Sequence, residues 1–112
     1  MYRKTNNQIL SQNLDVAQSF YKRAKGLLGC DKLVGDQGLW IHRCNSVHTW
    51  FMQFPIDVIF LDKNLSVKGI HKNLKPWKMT WPIFSAHTAL EFRSGFVDEM
   101  RINLGDEFRV DT

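Results

Sequence analysis

The sequence predicts an α+β domain that is mostly β: a compact antiparallel sheet or partly closed small barrel with one main helix packed on it. Three observations support this. Segments of β-forming residues outnumber helical ones. They do not alternate with helices in the regular order of a doubly wound parallel sheet. The 112 residues are 44% apolar and 23% charged, which is typical of a single globular domain over residues 1–112.

The main helix is predicted from about residue 15 to residue 28. Apolar side chains recur there three or four positions apart, at Ala17, Phe20, Tyr21, Ala24, Leu27 and Leu28. Asp15 is the predicted N-cap, and Gly29 is the predicted stop.

Two strands are predicted on either side of Pro55, over residues 47–54 and 56–61. Pro55 interrupts the ladder, which indicates a bulge or a sheet edge. Residues 56–61 are apolar on both faces except for Asp57. This pattern predicts a central strand covered on both sides. The following segment 74–84 carries two prolines and is predicted to be an ordered loop.

The most specific motif runs from Cys44 to Asp62 and contains a His-Thr-x-x-Met-x-x-Pro-Ile-Asp core. Arg23 precedes a Gly-Leu-Leu-Gly turn, and Leu90-Glu91 follows in a later strand. In these motifs the chain resembles a bacterial and archaeal family, domain of unknown function 192, over about residues 17–110. The resemblance implies a β-rich, partly barrel-like domain with one packed helix. It implies no reaction, because the family's activity is unassigned.

The first functional hypothesis is a non-catalytic binding module. Its groove would be formed by the Cys44–Asp57 segment, the loop around Trp77 and Trp81, and the strand of Glu91. Trp50 and Met52 would add to an aromatic pocket, although each of these side chains could instead belong to the core. Lys75 and Lys78 are interleaved with Trp77 and Trp81, but the chain has no basic stripe, so nucleic acid is disfavoured as a partner. A small molecule or a protein is the expected partner, and no oligomeric state is predicted.

The second hypothesis is a small hydrolase or transferase that uses Cys44, His48 and Asp57. A thiolate beside an imidazolium is an activated nucleophile. In a fully extended segment Cys44 and His48 would be about 13 Å apart, so a loop between them would have to close the gap. For Asp57 a structural role is favoured, because a buried carboxylate must be paired or hydrogen-bonded.

The third hypothesis is a metal-binding domain that uses His42, Cys44 and His48. Thiolate and imidazole are zinc ligands, but the spacing matches no standard zinc pattern and no fourth ligand is evident. The chain also lacks a P-loop, a G-x-G-x-x-G motif and a C-x-x-C motif. We therefore expect no cofactor.

A structural ion pair is predicted between Arg23 and either Asp57 or Glu91. Arg is suited to bidentate contact with a carboxylate, and such a pair would fix the helix on the sheet.

The remaining features of the sequence suggest a soluble, cytoplasmic protein. No signal peptide is visible and no apolar run is long enough to span a membrane, although a removed leader is left open. The two cysteines, Cys30 and Cys44, are expected to be free thiols. The net charge of +4 is mildly basic and does not require a nucleic-acid partner.

Overall fold

A computed structural model of the chain describes residues 1–17, 33–50 and 52–110. The regular elements of these residues are seven strands and one short helix. They are β1 (Tyr2–Arg3), β2 (Asn13–Ala17), β3 (Gln37–His42), β4 (Ile56–Leu61), β5 (Val67–Leu74), β6 (Thr88–Arg93), α1 (Phe96–Glu99) and β7 (Phe108–Arg109).

Five of the strands form one sheet in the order β2-β3-β6-β4-β5. The β2–β3 pair is parallel, and the other three pairs are antiparallel. β1 and β7 form a separate antiparallel pair. The mostly β class and the mostly antiparallel sheet are confirmed. The strands of the described ranges do not close into a barrel, because β2 and β5 are left as the two edges.

β4 is the interior strand covered on both sides that its apolar pattern predicts, with all six residues buried. Alternate side chains of a strand point to opposite faces of a sheet. On one face Ile59 and Leu61 pack in a cluster with Phe92, and on the other Val58 and Phe60 pack in a second cluster. The sheet therefore has a core on each side.

The predicted start of the main helix, at about residue 15, is wrong. Asp15 is a strand residue rather than a helix cap, and it pairs with Leu39 in the parallel β2–β3 ladder. The pairing with β3 overrides the local helical pattern. Residues 18–28 lie outside the described residues, and so does Cys30.

The strand predicted over residues 47–54 is also wrong. The described part of this segment contains a single isolated bridge, between His48 and Met79. The amide of Met52 donates to the carbonyl of Thr49 at 3.2 Å, which turns the chain back before an extended ladder can form. Within the described ranges, no helix has the length and apolar character needed to cross a bilayer.

Candidate functional site

Five large apolar side chains are exposed on two neighbouring segments, residues 46–50 and 77–84. They are Trp50, Trp77, Met79, Trp81 and Phe84, whose exposed fractions are 46%, 60%, 65%, 88% and 90%. We call these five residues the aromatic face. Well-folded monomers usually expose large apolar side chains singly, so this grouping needs an explanation.

Backbone hydrogen bonds hold the two segments side by side. Beside the bridge between His48 and Met79, the amide of Thr80 donates to the carbonyl of Val47 at 2.9 Å. Val47 and Thr80 are both 3% exposed, so they point inward. In an antiparallel pair, residues on either side of an inward pair point outward. This alternation directs His48 and Met79 to the surface.

Thr49 fixes the loop that carries the aromatic face. Its side chain is fully buried. The hydroxyl donates to the carbonyl of Lys75 at 2.5 Å and accepts the amide of Lys78 at 2.9 Å. One side chain thus satisfies two backbone groups of the loop, which makes the exposed surface part of an ordered structure.

Trp77 has a left-handed backbone with a φ of +65°. This region is uncommon for residues other than glycine and costs conformational energy. The amide of Trp77 donates to the carbonyl of Thr49 at 3.0 Å, which helps to hold the strained residue in place. Strain of this kind often accompanies a functional loop.

Cationic residues lie in or next to the segments that carry the aromatic face. Arg43, Lys75 and Lys78 are exposed, and none of them forms a salt bridge within the described residues. The segments 42–50 and 75–87 contain no Asp or Glu. These segments therefore combine exposed apolar side chains with a net positive charge.

The aromatic face is an open surface rather than a deep pocket. A cavity of about 280 Å³ lies at Ser46, Val47, His48 and Met79. This volume is at the lower end of the range for small-molecule sites, about 300–1,000 Å³. The imidazole of His48 stacks on Trp50, with ring centroids 4.7 Å apart. A larger open depression of about 640 Å³ contains none of the predicted site residues and is lined by Ile70, Lys72, Ile102, Asn103 and Leu104.

The structure separates the residues predicted to form the binding groove. Trp50, Trp77 and Trp81 lie on the aromatic face. Met52 is 6% exposed and packs in the core, and Glu91 is fully buried in the middle of the sheet.

Sequence reasoning missed Met79 and Phe84. Met79 alternates with Trp77 and Trp81 along the chain, and that period of two was the available signal for a shared outward face. Phe84 follows Pro82 in the same loop, and no pattern in the sequence distinguishes it from a core residue.

The three residues of the hydrolase hypothesis do not converge. The amide of Cys44 bonds to His87, just before the start of β6, whereas Asp57 pairs with Phe92 near its end. Five residues of strand correspond to a separation of about 16 Å. Asp57 is therefore too far from Cys44 for the two side chains to act together in a reaction. Any joint activity of Cys44 and His48 stays a prediction.

Asp57 is 1% exposed and binds three backbone amides. Its Oδ1 accepts the amide of Asn73 at 2.8 Å. Its Oδ2 accepts the amides of Gly95 at 3.1 Å and Val97 at 2.9 Å. Gly95 is the N-cap of α1 and has no capping side chain, so the Asp57 carboxylate supplies the cap from another element.

Asp57 also fixes an irregularity of the sheet edge. Ile56 pairs with Leu74 and Val58 pairs with His71, so two steps along β4 match three along β5. The extra residue makes a bulge. Asn73 lies in this bulge with a left-handed backbone, and its amide is the one that Asp57 Oδ1 binds.

The metal hypothesis receives no support from the part of the chain that the structure describes. There, no group of three or more His, Cys, Asp or Glu side chains is arranged to hold a metal ion. His42 lies in β3 against the ring of Trp40, and the thiol of Cys44 donates to the carbonyl of Ser46 at 3.0 Å.

The predicted ion pair of Arg23 with Asp57 or Glu91 stays a prediction, because Arg23 lies outside the described residues. Glu91 is fully buried on β6, between Leu39 of β3 and Val58 of β4. A carboxylate in that position needs a polar partner.

Comparison with known proteins identifies the family. The sequence model of DUF192, described as "Uncharacterized ACR", matches residues 1–110. The chain belongs to the DUF192 family. A UPF0127 protein of Thermococcus sibiricus is 32% identical over 109 residues, covering 93% of this chain and 70% of the relative. A UPF0127 protein of Pyrococcus horikoshii is 35% identical over 97 residues, covering 84% of each chain.

A solved structure has the same fold as this DUF192 chain. It is a protein of unknown function from Novosphingobium aromaticivorans, with a TM-score of 0.73 and 24% identity, and the match covers 84% of this chain and 71% of that chain. The resemblance seen in the motifs is thus confirmed. Membership in DUF192 identifies the fold but no reaction.

Proposed function

We propose that this DUF192 chain is a non-catalytic module that binds a ligand or a protein through the aromatic face. The exposure of Trp81 and Phe84, at 88% and 90%, carries the proposal. An aromatic side chain has about 150–250 Å² of surface, so these two alone expose roughly 270–440 Å². This area is comparable to the largest apolar patch of a typical monomer, and such patches often mark interaction sites.

The polar groups support binding rather than catalysis. The Cys44 thiol donates to the carbonyl of Ser46 at 3.0 Å. Asp57 uses both carboxylate oxygens to accept backbone amides. In this arrangement the Asp57 carboxylate is occupied by the backbone.

The test is a binding panel applied to the wild type and to a Trp81→Ala/Phe84→Ala double variant. The panel contains anionic and neutral lipid vesicles, oligo(dT), oligosaccharides and a displayed library of unstructured peptides. We expect at least one class to bind the wild type ten or more times more tightly than the double variant. Because both side chains are almost fully exposed, the melting temperature should be nearly unchanged.

Two control variants complete the design. Leu104→Ala removes another exposed apolar side chain, 67% exposed, from a different surface. Cys44→Ser removes the thiol. Both should bind like the wild type. Equal binding of every panel member to the double variant would overturn the proposal, and so would turnover of a substrate that disappears in Cys44→Ser.

A further inference from the structure

We propose, building on that function, that the partner of the aromatic face is an anionic lipid surface. The face would lie in the headgroup region of a bilayer without spanning it. Three properties of the face carry this inference: its projecting side chains, its cationic rim and its openness.

The most exposed members project from the protein instead of lining a recess. Trp81 and Phe84 are 88% and 90% exposed, and Met79 is 65% exposed. Indole rings favour the headgroup level of a bilayer, while Phe and other apolar side chains enter the boundary with the acyl chains. A fluid lipid surface can envelop projecting side chains, whereas a rigid ligand needs a cavity to enter.

The charge around these side chains matches an anionic surface. Lys75 and Lys78 are exposed in the same loop as Trp81, and Arg43 is exposed shortly before the neighbouring segment 46–50. Neither segment contributes an acidic side chain that would repel anionic headgroups. Each cation near such a surface strengthens binding by about fivefold.

Three other occupants are outcomes of the same test. A folded protein partner would have to cover about 800 Å² of this chain with a complementary surface. Single-stranded nucleic acid would stack its bases on the tryptophans and follow the lysines. A second copy of the chain would bring two cationic faces together, which their like charges oppose.

The experiment measures sedimentation of the full chain with vesicles of phosphatidylcholine alone or mixed with phosphatidylglycerol. We expect binding to the anionic vesicles, weakening as salt rises, with a blue shift of tryptophan emission. Trp81→Ala/Phe84→Ala should weaken partitioning tenfold or more and remove most of the shift. Lys75→Gln/Lys78→Gln should weaken it by about 25-fold.

The matched control is Lys4→Gln/Lys72→Gln, which removes the same charge from the turn after β1 and from β5. Both control lysines are in salt bridges, with Glu107 and Asp98. This variant should keep binding within threefold of the wild type. Equal losses in the two lysine variants would show net-charge attraction alone and would overturn the inference.

The remaining outcomes separate the two proposals. If the chain does not bind vesicles but binds another panel member through Trp81 and Phe84, the lipid inference is wrong and the proposal of a binding module is retained. If oligo(dT) binds more tightly than anionic vesicles, the partner is nucleic acid. A dimer that the double variant abolishes identifies a second copy. If nothing in the panel binds, both proposals fail.

Discussion

Asp57→Asn tests whether the buried carboxylate is a structural anchor. The asparagine oxygen can replace Oδ2 and accept the amides of Gly95 and Val97. Its NH₂ group then faces the amide of Asn73, so that a buried donor loses its acceptor. An unsatisfied buried donor costs about 1–3 kcal/mol. Asp57→Ala leaves all three amides without this acceptor and should cost about 3–5 kcal/mol.

These free energies correspond to large thermal shifts. Unfolding entropy of about 2.1 cal/mol/K per residue makes 1 kcal/mol equal to about 4 °C for a chain of this length. Asp57→Asn should therefore lower the melting temperature by about 4–13 °C, measured by circular dichroism and checked by urea unfolding. Asp98→Asn is the matched control, because this carboxylate is 71% exposed and pairs only at the surface with Lys72. It should shift the melting temperature by about 2 °C or less.

The result that refutes this reasoning is a melting temperature of Asp57→Asn within about 2 °C of the wild type. If the same variant lost binding to every member of the panel, Asp57 would be a functional group rather than an anchor.

Three further substitutions test other parts of the fold. In Gly38→Ala, the new Cβ would lie 2.5 Å from Cε1 of Phe92, so the variant should lose about 1–3 kcal/mol in urea unfolding; an unchanged midpoint would contradict the packing. Thr49→Val removes the hydroxyl that satisfies two loop backbone groups, so it should lose about 1–3 kcal/mol and speed hydrogen exchange in the loop; unchanged exchange would show that the hydroxyl does not hold it. The backbone amide of Ser66 holds the pKa of Asp62 below its ordinary value of 3.8. The stability from Asp62 is thus complete above that value and lost as the pH falls through the lower folded pKa, so Asp62→Asn should be less stable than the wild type at pH 7, and the difference should shrink as the pH falls below 3.8 in thermal melts. A constant difference across that range would contradict the assignment.

The parts of the fold that were predicted correctly are those with strong local patterns. The run from Ile56 to Leu61 is apolar on both faces, which is the pattern of a strand with packed side chains on each side of the sheet. The prolines of segment 74–84 prevent a regular ladder, and the segment is a loop from residue 75 onward, after Leu74 ends β5.

The parts that failed depend on distant residues. The extended propensity of residues 47–54 gave no sign that the Thr49 hydroxyl would bind loop backbone 26 and 29 positions away. The start of the predicted helix is a strand because β3 supplies a parallel partner. The acceptor role of Asp57 was expected, but its donors lie 16, 38 and 40 positions along the chain, beyond any local pattern.

The candidate site was predicted in part for a similar reason. The aromatic residues around Trp77 and Trp81 were identified from their proline-flanked loop. Met52 and Glu91 look equally suitable in sequence, but the turn after Thr49 and the central position of β6 send both into the interior. Exposure depends on the path of the whole chain, which composition does not encode.

The bulge at Asn73 also affects how copies of the chain can meet. Among the described strands β5 is an edge, and a flat edge with unpaired backbone groups is a template for the strand of another molecule. The bulge and left-handed backbone of Asn73 distort this edge, while Lys68 and Lys72 place charges along it. Addition of a foreign strand at β5 is therefore disfavoured. A mutation that released Asn73 from Asp57 would remove part of that protection, and the chain would then be prone to aggregate even before it lost its fold.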